Sequence, residues 1–354
     1  MAGLFDPLKL GDLELPNRII MAPLTRARAG EKRLPNELMA EHYAQRASAG
    51  LILTEACSVS PQGVGYADTP GIWSDEQIAG WKLITDAVHK KGGRIFMQLW
   101  HVGRISDPMF LDGDLPVSAS NIPPGGYVSL VRPKKEFVAP RPLELDEIKQ
   151  VIEDFRQGAE NAKKAGFDGV ELHGANGYLI DQFLQDGSNK RTDAYGGPIE
   201  NRARLMMDVV DALISVWGKD RVGVHIAPRG DAHSMGDSDL RATFTYVATE
   251  LGKKGIAFVF AREHQAEDSL GPDLKKAFGG VYIANEGFTK ETAEKALADG
   301  WADAVSFGVL FIANPDLVER FAQNAPLNEP VPQTFYAKGT TGYTDYPFLG
   351  EDAA

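Results

Sequence analysis

The stretch Glu171-Leu172-His173-Gly174-Ala175-Asn176-Gly177-Tyr178-Leu179 gathers three side chains that could do chemistry together. A histidine and an asparagine three residues apart on a turn can aim two hydrogen-bond donors at one oxygen. A tyrosine two residues on can present a phenol from another side. That set suits polarising a carbonyl and then supplying a proton. With an ordinary pKa of about 10, a tyrosine stays protonated near neutral pH, so Tyr178 reads as a donor and not a base. The same residues also fit a capped turn with a half-buried tyrosine, because polar side chains at strand ends often satisfy backbone groups.

The turn follows one of eight short apolar runs, Gly169 to Leu172. The others are Ile19 to Met21, Leu51 to Glu55, Arg94 to Leu99, Val222 to Ile226, Ala257 to Ala261, Val281 to Ala284 and Ala304 to Phe307. A stretch of helical periodicity follows each, the pattern of a parallel sheet with crossover helices. Eight such units predict an α/β fold of the (β/α)8 TIM-barrel type, with functional residues at the C-terminal strand ends. A hairpin, Leu8 to Leu10 with Leu13 to Leu15, comes first. Ser74 to Gln77 reads as a capping box, Asn314-Pro315 as the opening of the last helix, and Glu200 to Trp217 as one helix behind Pro198. Val102 to Pro142 is proline-rich, lacks helical periodicity and is too long for an ordinary loop. It is expected to cover the barrel mouth as a lid or substrate wall.

With 354 residues, 43% of them hydrophobic, the chain can build one large core. No linker-like tract divides it, so 1–354 reads as one domain. There is no signal-like start and no run near the ~18 apolar residues of a membrane span. A net charge of −12 and a pI near 5.1 argue against nucleic acid and anionic membrane as partners. A single cysteine, Cys57, excludes a disulfide framework, a four-cysteine zinc site and a self-contained iron-sulfur cluster. A cytoplasmic protein without a metal site is expected, with Cys57 as a small buried apolar group. No predicted strand holds a lysine for a Schiff base, which weighs against an aldolase or lyase barrel. No Gly-x-Gly-x-x-Gly opens a helix, so a separate dinucleotide site is not indicated. Arg191 to Asn201 reads as a structural hydrogen-bonded loop.

Six ordered segments resemble the Old Yellow Enzyme family along almost the whole chain. They are Asn17-Arg18 through Met21-Ala22-Pro23-Leu24-Thr25-Arg26; Gln45 to Ile52 with Glu55-Ala56; Gln98-Leu99-Trp100-His101-Val102-Gly103-Arg104; the His173 to Tyr178 turn with Arg191 to Gly197; Phe307-Gly308 with Ile312 to Leu317; and Gly342-Tyr343-Thr344-Asp345-Tyr346-Pro347. The branch is similar to the bacterial xenobiotic, nitrate-ester and N-ethylmaleimide reductases. The resemblance implies bound FMN, NAD(P)H as hydride-donating co-substrate, and ping-pong reduction of the activated C=C bonds of α,β-unsaturated carbonyl or nitro compounds. It extends to nitrate esters and nitroaromatics, and is compatible with a monomer or small homo-oligomer.

By that resemblance Thr25 meets the flavin C4 carbonyl and Gln98 the pyrimidine edge, with the backbones at Pro23, Leu24 and Ala56 framing the ring. Asn285, Gly287, Gly308 and Val309 surround the phosphate. His173 and Asn176 hold the substrate oxygen, Tyr178 delivers the proton, and Tyr66, Trp100 and Tyr343 form an aromatic substrate wall. Two positions depart from the pattern, because many relatives carry arginine at Val309 and, beside flavin N1, at His225. A histidine supplies charge there only when protonated; the other reading is a neutral imidazole giving one hydrogen bond. Arg262, ending the sixth strand, is expected to replace part of that charge. The rival from another class is a flavin-bearing phenol or steroid binder whose turnover is incidental.

Overall fold

The computed structural model describes residues 2–351. Eight parallel strands pair in chain order: Ile19–Met21, Leu51–Leu53, Ile95–Trp100, Gly169–His173, Val222–Ile226, Phe258–Arg262, Val281–Asn285 and Ala304–Phe307. The eighth pairs back onto the first, from Val305↔Ile19 to Phe307↔Met21, so the sheet closes into a barrel. Every residue of the first five strands is buried, with the barrel interior on one side and helices on the other. That two-sided burial is why the strands read as unbroken apolar runs instead of alternating ones.

The interior is filled by rings placed against glycines. A Cβ on Gly169 would come 2.3 Å from the Phe96 ring, and one on Gly223 would come 2.1 Å from Phe258. Each glycine thus leaves room for an aromatic ring from the neighbouring strand. Gly223→Ala is expected to cost about 1–3 kcal/mol through overpacking, read as a lower urea midpoint; an unchanged midpoint would show that this layer is loosely packed.

The hairpin strands Leu8–Leu10 and Leu13–Leu15 pair antiparallel. Leu8, Leu10 and Leu15 pack with the interior residues Ile20, Leu53, Phe96, Phe258 and Ile283. Its turn abuts Asp220, just before the fifth strand: a Cβ on Gly11, which has φ 58°, would lie 2.0 Å from the Asp220 carbonyl oxygen. The hairpin therefore stops the N-terminal end of the barrel and leaves the C-terminal end as the mouth.

Three local expectations are corrected. The second strand ends at Leu53, because the Glu55 carboxylate is turned to accept from the backbone N–H groups of Arg26 and Ala27. Asn314 does not cap the last helix, Leu317–Gln323, which Asp316 precedes; its side chain joins Leu310 O and the Asn328 N–H, tying down the C-terminal segment. The helix through residues 200–217 is broken into Ile199–Arg202 and Arg204–Trp217, where Arg202 turns inward onto Gly197 O and Asp237. The Ser74–Gln77 capping box is present as expected.

Residues 102–142 hold a short 3-10 turn, Pro108–Phe110, and two two-residue strands, Val117–Ser118 and Arg141–Pro142, which pair with each other. Phe137, like Tyr66 and Tyr178, packs against the buried cluster of Ala56, Trp100, Val102 and Ile105, while buried Arg104 holds Ile122 O and His233 O. No helix among the described residues is long and apolar enough to cross a membrane.

Candidate active site

Strand register brings a row of rings together at the mouth. His173 lies opposite His225, and His225 opposite Phe260. Trp100 and His173 stack at 6.2 Å between centroids, His173 and His225 at 5.0 Å. Tyr178 stands edge-on to both Trp100 and His173, at 4.9 Å from each. The Tyr66 hydroxyl lies 2.8 Å from that of Tyr178; when Tyr66 supplies the hydrogen of this bond, Tyr178 keeps its own free to donate.

The turn that carries Asn176 and Tyr178 is tightly constrained. Asn176 and Gly177 have φ of 58° and 77°, and a Cβ on Gly177 would meet Ala232 O at 2.9 Å. Asp181 accepts from the Gly177 N–H, His101 O from the Leu179 N–H, and the Gln182 amide donates to Val102 O and Gly177 O. His233 Nδ1 donates to Asn176 O at 2.9 Å. These bonds fix the turn to the third and fifth strand ends, so the side chains above them are preorganised.

Protonation follows from the same contacts. The Ala175 N–H points at His173 Nδ1, 3.4 Å away, which leaves the hydrogen on Nε2. Burial and the positive charge of Arg262 push the His173 pKa down to about 3, so the ring is a neutral donor. The Gln98 amide donates to His225 Nδ1 at 3.1 Å and to Glu171 at 2.7 Å. His225 is thereby also an Nε2–H imidazole, and burial beside His173 and Arg262 holds its pKa well below the usual range. Of the two readings left open for His225, these contacts favour the neutral one. Burial raises the Tyr178 phenol well above its ordinary value, so it carries its proton. Glu171, buried beneath this network, is pushed up to about 8 by desolvation.

A cavity of about 840 Å³ opens beside the row. Pro23, Leu24, Asn176, His225, Asn285, Gly287, Gly308 and Val309 line it, together with Arg262 and Glu286. Asn285 is braced by its amide on Ser306, Gly287 has φ 75°, and a Cβ on Gly308 would press on Leu24 at 3.1 Å. His225 Nε2 is buried without a protein partner. A volume of this size with one partnerless buried donor and glycine backbone at the far end fits a flat ring system with an anionic tail. Thr25 follows Leu24 and is partly exposed, whereas Ala56, Gln98, Trp100 and His173 are buried. Both amide hydrogens of Gln98 are committed, so it can offer the cavity only an acceptor oxygen.

Tyr343 does not form a substrate wall. It is fully buried, stacked on His42 at 4.0 Å, with the Arg26 and Arg28 guanidiniums 5.0 and 4.6 Å from the ring centre. Burial raises the phenol pKa of both Tyr66 and Tyr178, and the half-exposed Tyr336, which sequence reading did not single out, adds a smaller electrostatic contribution to each. Arg26 and Arg28 pin the adjoining Phe335 carbonyl, at 3.1 and 2.6 Å, which fixes the chain beside Tyr336. A paired Phe-Tyr just ahead of the Gly342-Tyr343 motif was the available signal. Val309 is 45% exposed and brings no charge. Cys57 is buried, with its thiol pKa raised by desolvation, as an inert group should be. Arg191 bonds Asp193, Ala119 O and Leu143 O, consistent with a structural loop.

Residues 3–328 match the family model described as NADH:flavin oxidoreductase / NADH oxidase family. The structure is similar to that of the old yellow enzyme homologue from Zymomonas mobilis, with a TM-score of 0.96 and 45% identity, covering 98% of this chain and 100% of the other. It is similar to morphinone reductase in complex with tetrahydroNAD, at TM-score 0.95 and 48% identity over 99% and 98% of the two chains. Among sequences, 12-oxophytodienoate reductase 1 of Oryza sativa subsp. japonica is 44% identical over 98% of this chain and 93% of that protein.

Proposed function

The chain belongs to the NADH:flavin oxidoreductase / NADH oxidase family, and from that premise we propose that it is an FMN-dependent ene-reductase, using NAD(P)H to reduce electron-poor alkenes. The observation that carries this reading is the clustering of three proton-bearing groups, His173, the Asn176 amide and the Tyr178 hydroxyl, beside a cavity that Asn176 and the partnerless His225 Nε2 border.

The residues suited to hold FMN are Pro23, Leu24 and Ala56 along the ring, Thr25 and the Gln98 oxygen at its polar edge, and His225 as a neutral donor. Asn285 and the backbone at Gly287, Gly308 and Val309 suit its phosphate. Bound FMN supplies hydride chemistry toward NAD(P)H and the alkene in turn. His173 and Asn176 withdraw charge from the carbonyl or nitro oxygen, worth most in a site from which water is excluded. Tyr178 donates its proton to the α-carbon, and Tyr66 and Trp100, with Tyr336, bound the substrate laterally. Nicotinamide and alkene share one site in this proposal, so turnover is ping-pong. The names of the relatives, 12-oxophytodienoate reductase and morphinone reductase, make conjugated enones the first substrate class to examine. A cytoplasmic, monomeric or small homo-oligomeric protein acting as one domain completes the proposal, supported by its single cysteine and acidic balance.

Anaerobic NADPH should bleach the flavin absorption of the purified protein, and 2-cyclohexenone should restore it. Tight phenol binding with no reoxidation by the enone would instead describe a flavin-bearing binder.

A further inference from the structure

Arg262 ends the sixth strand and lays its guanidinium across the mouth. Nη1 donates to Asn176 Oδ1 at 3.2 Å and Nη2 to Glu286 Oε1 at 3.0 Å. The consequence for Asn176 is specific. A primary amide has an acceptor end and a donor end of nearly equal size, so an unanchored side chain can turn either one toward a ligand. A guanidinium can only donate, and with Oδ1 taken by it the Asn176 amide has one orientation, Nδ2 toward the open cavity. The backbone is held separately, by the His233 bond to Asn176 O.

Glu286 keeps Arg262 in this place. It sits at the end of the seventh strand with φ 93°, a conformation that costs a non-glycine residue free energy and needs a compensating contact. Arg262 remains 42% exposed at the wall between the main cavity and a smaller one of about 230 Å³. Its hydrogen bonds run to Asn176 and Glu286, which gives it a task in addition to placing positive charge near His225.

Resting on the reading that Asn176 grips the substrate oxygen, we propose that Arg262 is a positioning residue. Tethered by Glu286, it locks the Asn176 amide as a donor and polarises its N–H through the bond to Oδ1. It acts through Asn176 and touches no reacting atom.

The test is a double-mutant cycle in the FMN-loaded enzyme: wild type, Arg262→Met, Asn176→Ala and the double variant, with kcat/KM for 2-cyclohexenone and the bound FMN content as readouts. Arg262→Met should lower kcat/KM about tenfold when Asn176 is present and less than about twofold when it is alanine, the signature of a charged hydrogen bond acting through one partner. Arg262→Lys, which keeps a donor, should recover most of the loss. Equal losses in both backgrounds overturn the proposal, as does an Arg262→Met protein whose only defect is lost FMN. Wild-type kcat/KM in Asn176→Ala would overturn the underlying reading of Asn176 as an oxygen donor.

Discussion

Tyr178→Phe is expected to slow alkene reduction by roughly 10² or more while NADPH still reduces the flavin at the wild-type rate. The phenylalanine ring preserves the edge-on packing against Trp100 and His173 at 4.9 Å, so the substitution removes the hydroxyl proton and the bond to the Tyr66 hydroxyl and leaves the ring in place. Only the half-reaction that puts hydrogen on the α-carbon needs that proton. Stopped-flow measurement of the two halves separates them, and an equal loss in both would contradict the assignment. A nitro substrate, whose first acceptor is already polar, should suffer less from the same change.

His173→Ala should cost about 10²–10³ in kcat/KM for an enone, the usual loss when one preorganised oxyanion donor is removed. Its pH behaviour is the sharper signature. Because burial and Arg262 hold the folded-state pKa at about 3, the imidazole stays neutral through the working range, and its grip should be flat with pH between about 5 and 8. A donor that worked as imidazolium would instead give a binding limb near its ordinary pKa of about 6.5. The same depression links His173 to stability with a definite sign. The unfolded chain takes up this proton before the folded one does, so the contribution is fully present above about pH 6.5 and is lost as the pH falls toward 3. His101, also depressed to about 3 by burial, adds to the trend.

The barrel was legible because its physics is local and repeated. Two-sided burial makes each strand an apolar run, and the helices announce themselves by period and by caps such as Ser74 with Gln77. The proposed catalytic turn can be picked out by residue type, since His173, Asn176 and Tyr178 lie within six residues of chain. What depends on neighbouring strand ends cannot be. The Gln98 contacts to Glu171 and His225, which set the tautomer of His225, join residues 73 and 127 positions apart. Arg262 and Asn176 are 86 apart, and nothing in either segment names the other. Tyr343 shows a different limit: its ring is buried by contacts with His42, Arg26 and Arg28, which come from the other end of the chain. Asn314 had the right type and position for a cap, but a longer-range partner, the Asn328 backbone, claimed its side chain.

The most direct test of the whole account is the binding of FMN itself, followed by the absorption spectrum of the purified protein and by titration of flavin-depleted protein. The account predicts a yellow protein that takes up one FMN per chain, with binding weakened when His225 or Asn285 is replaced by alanine. A colourless protein that takes up no FMN under native conditions would contradict it.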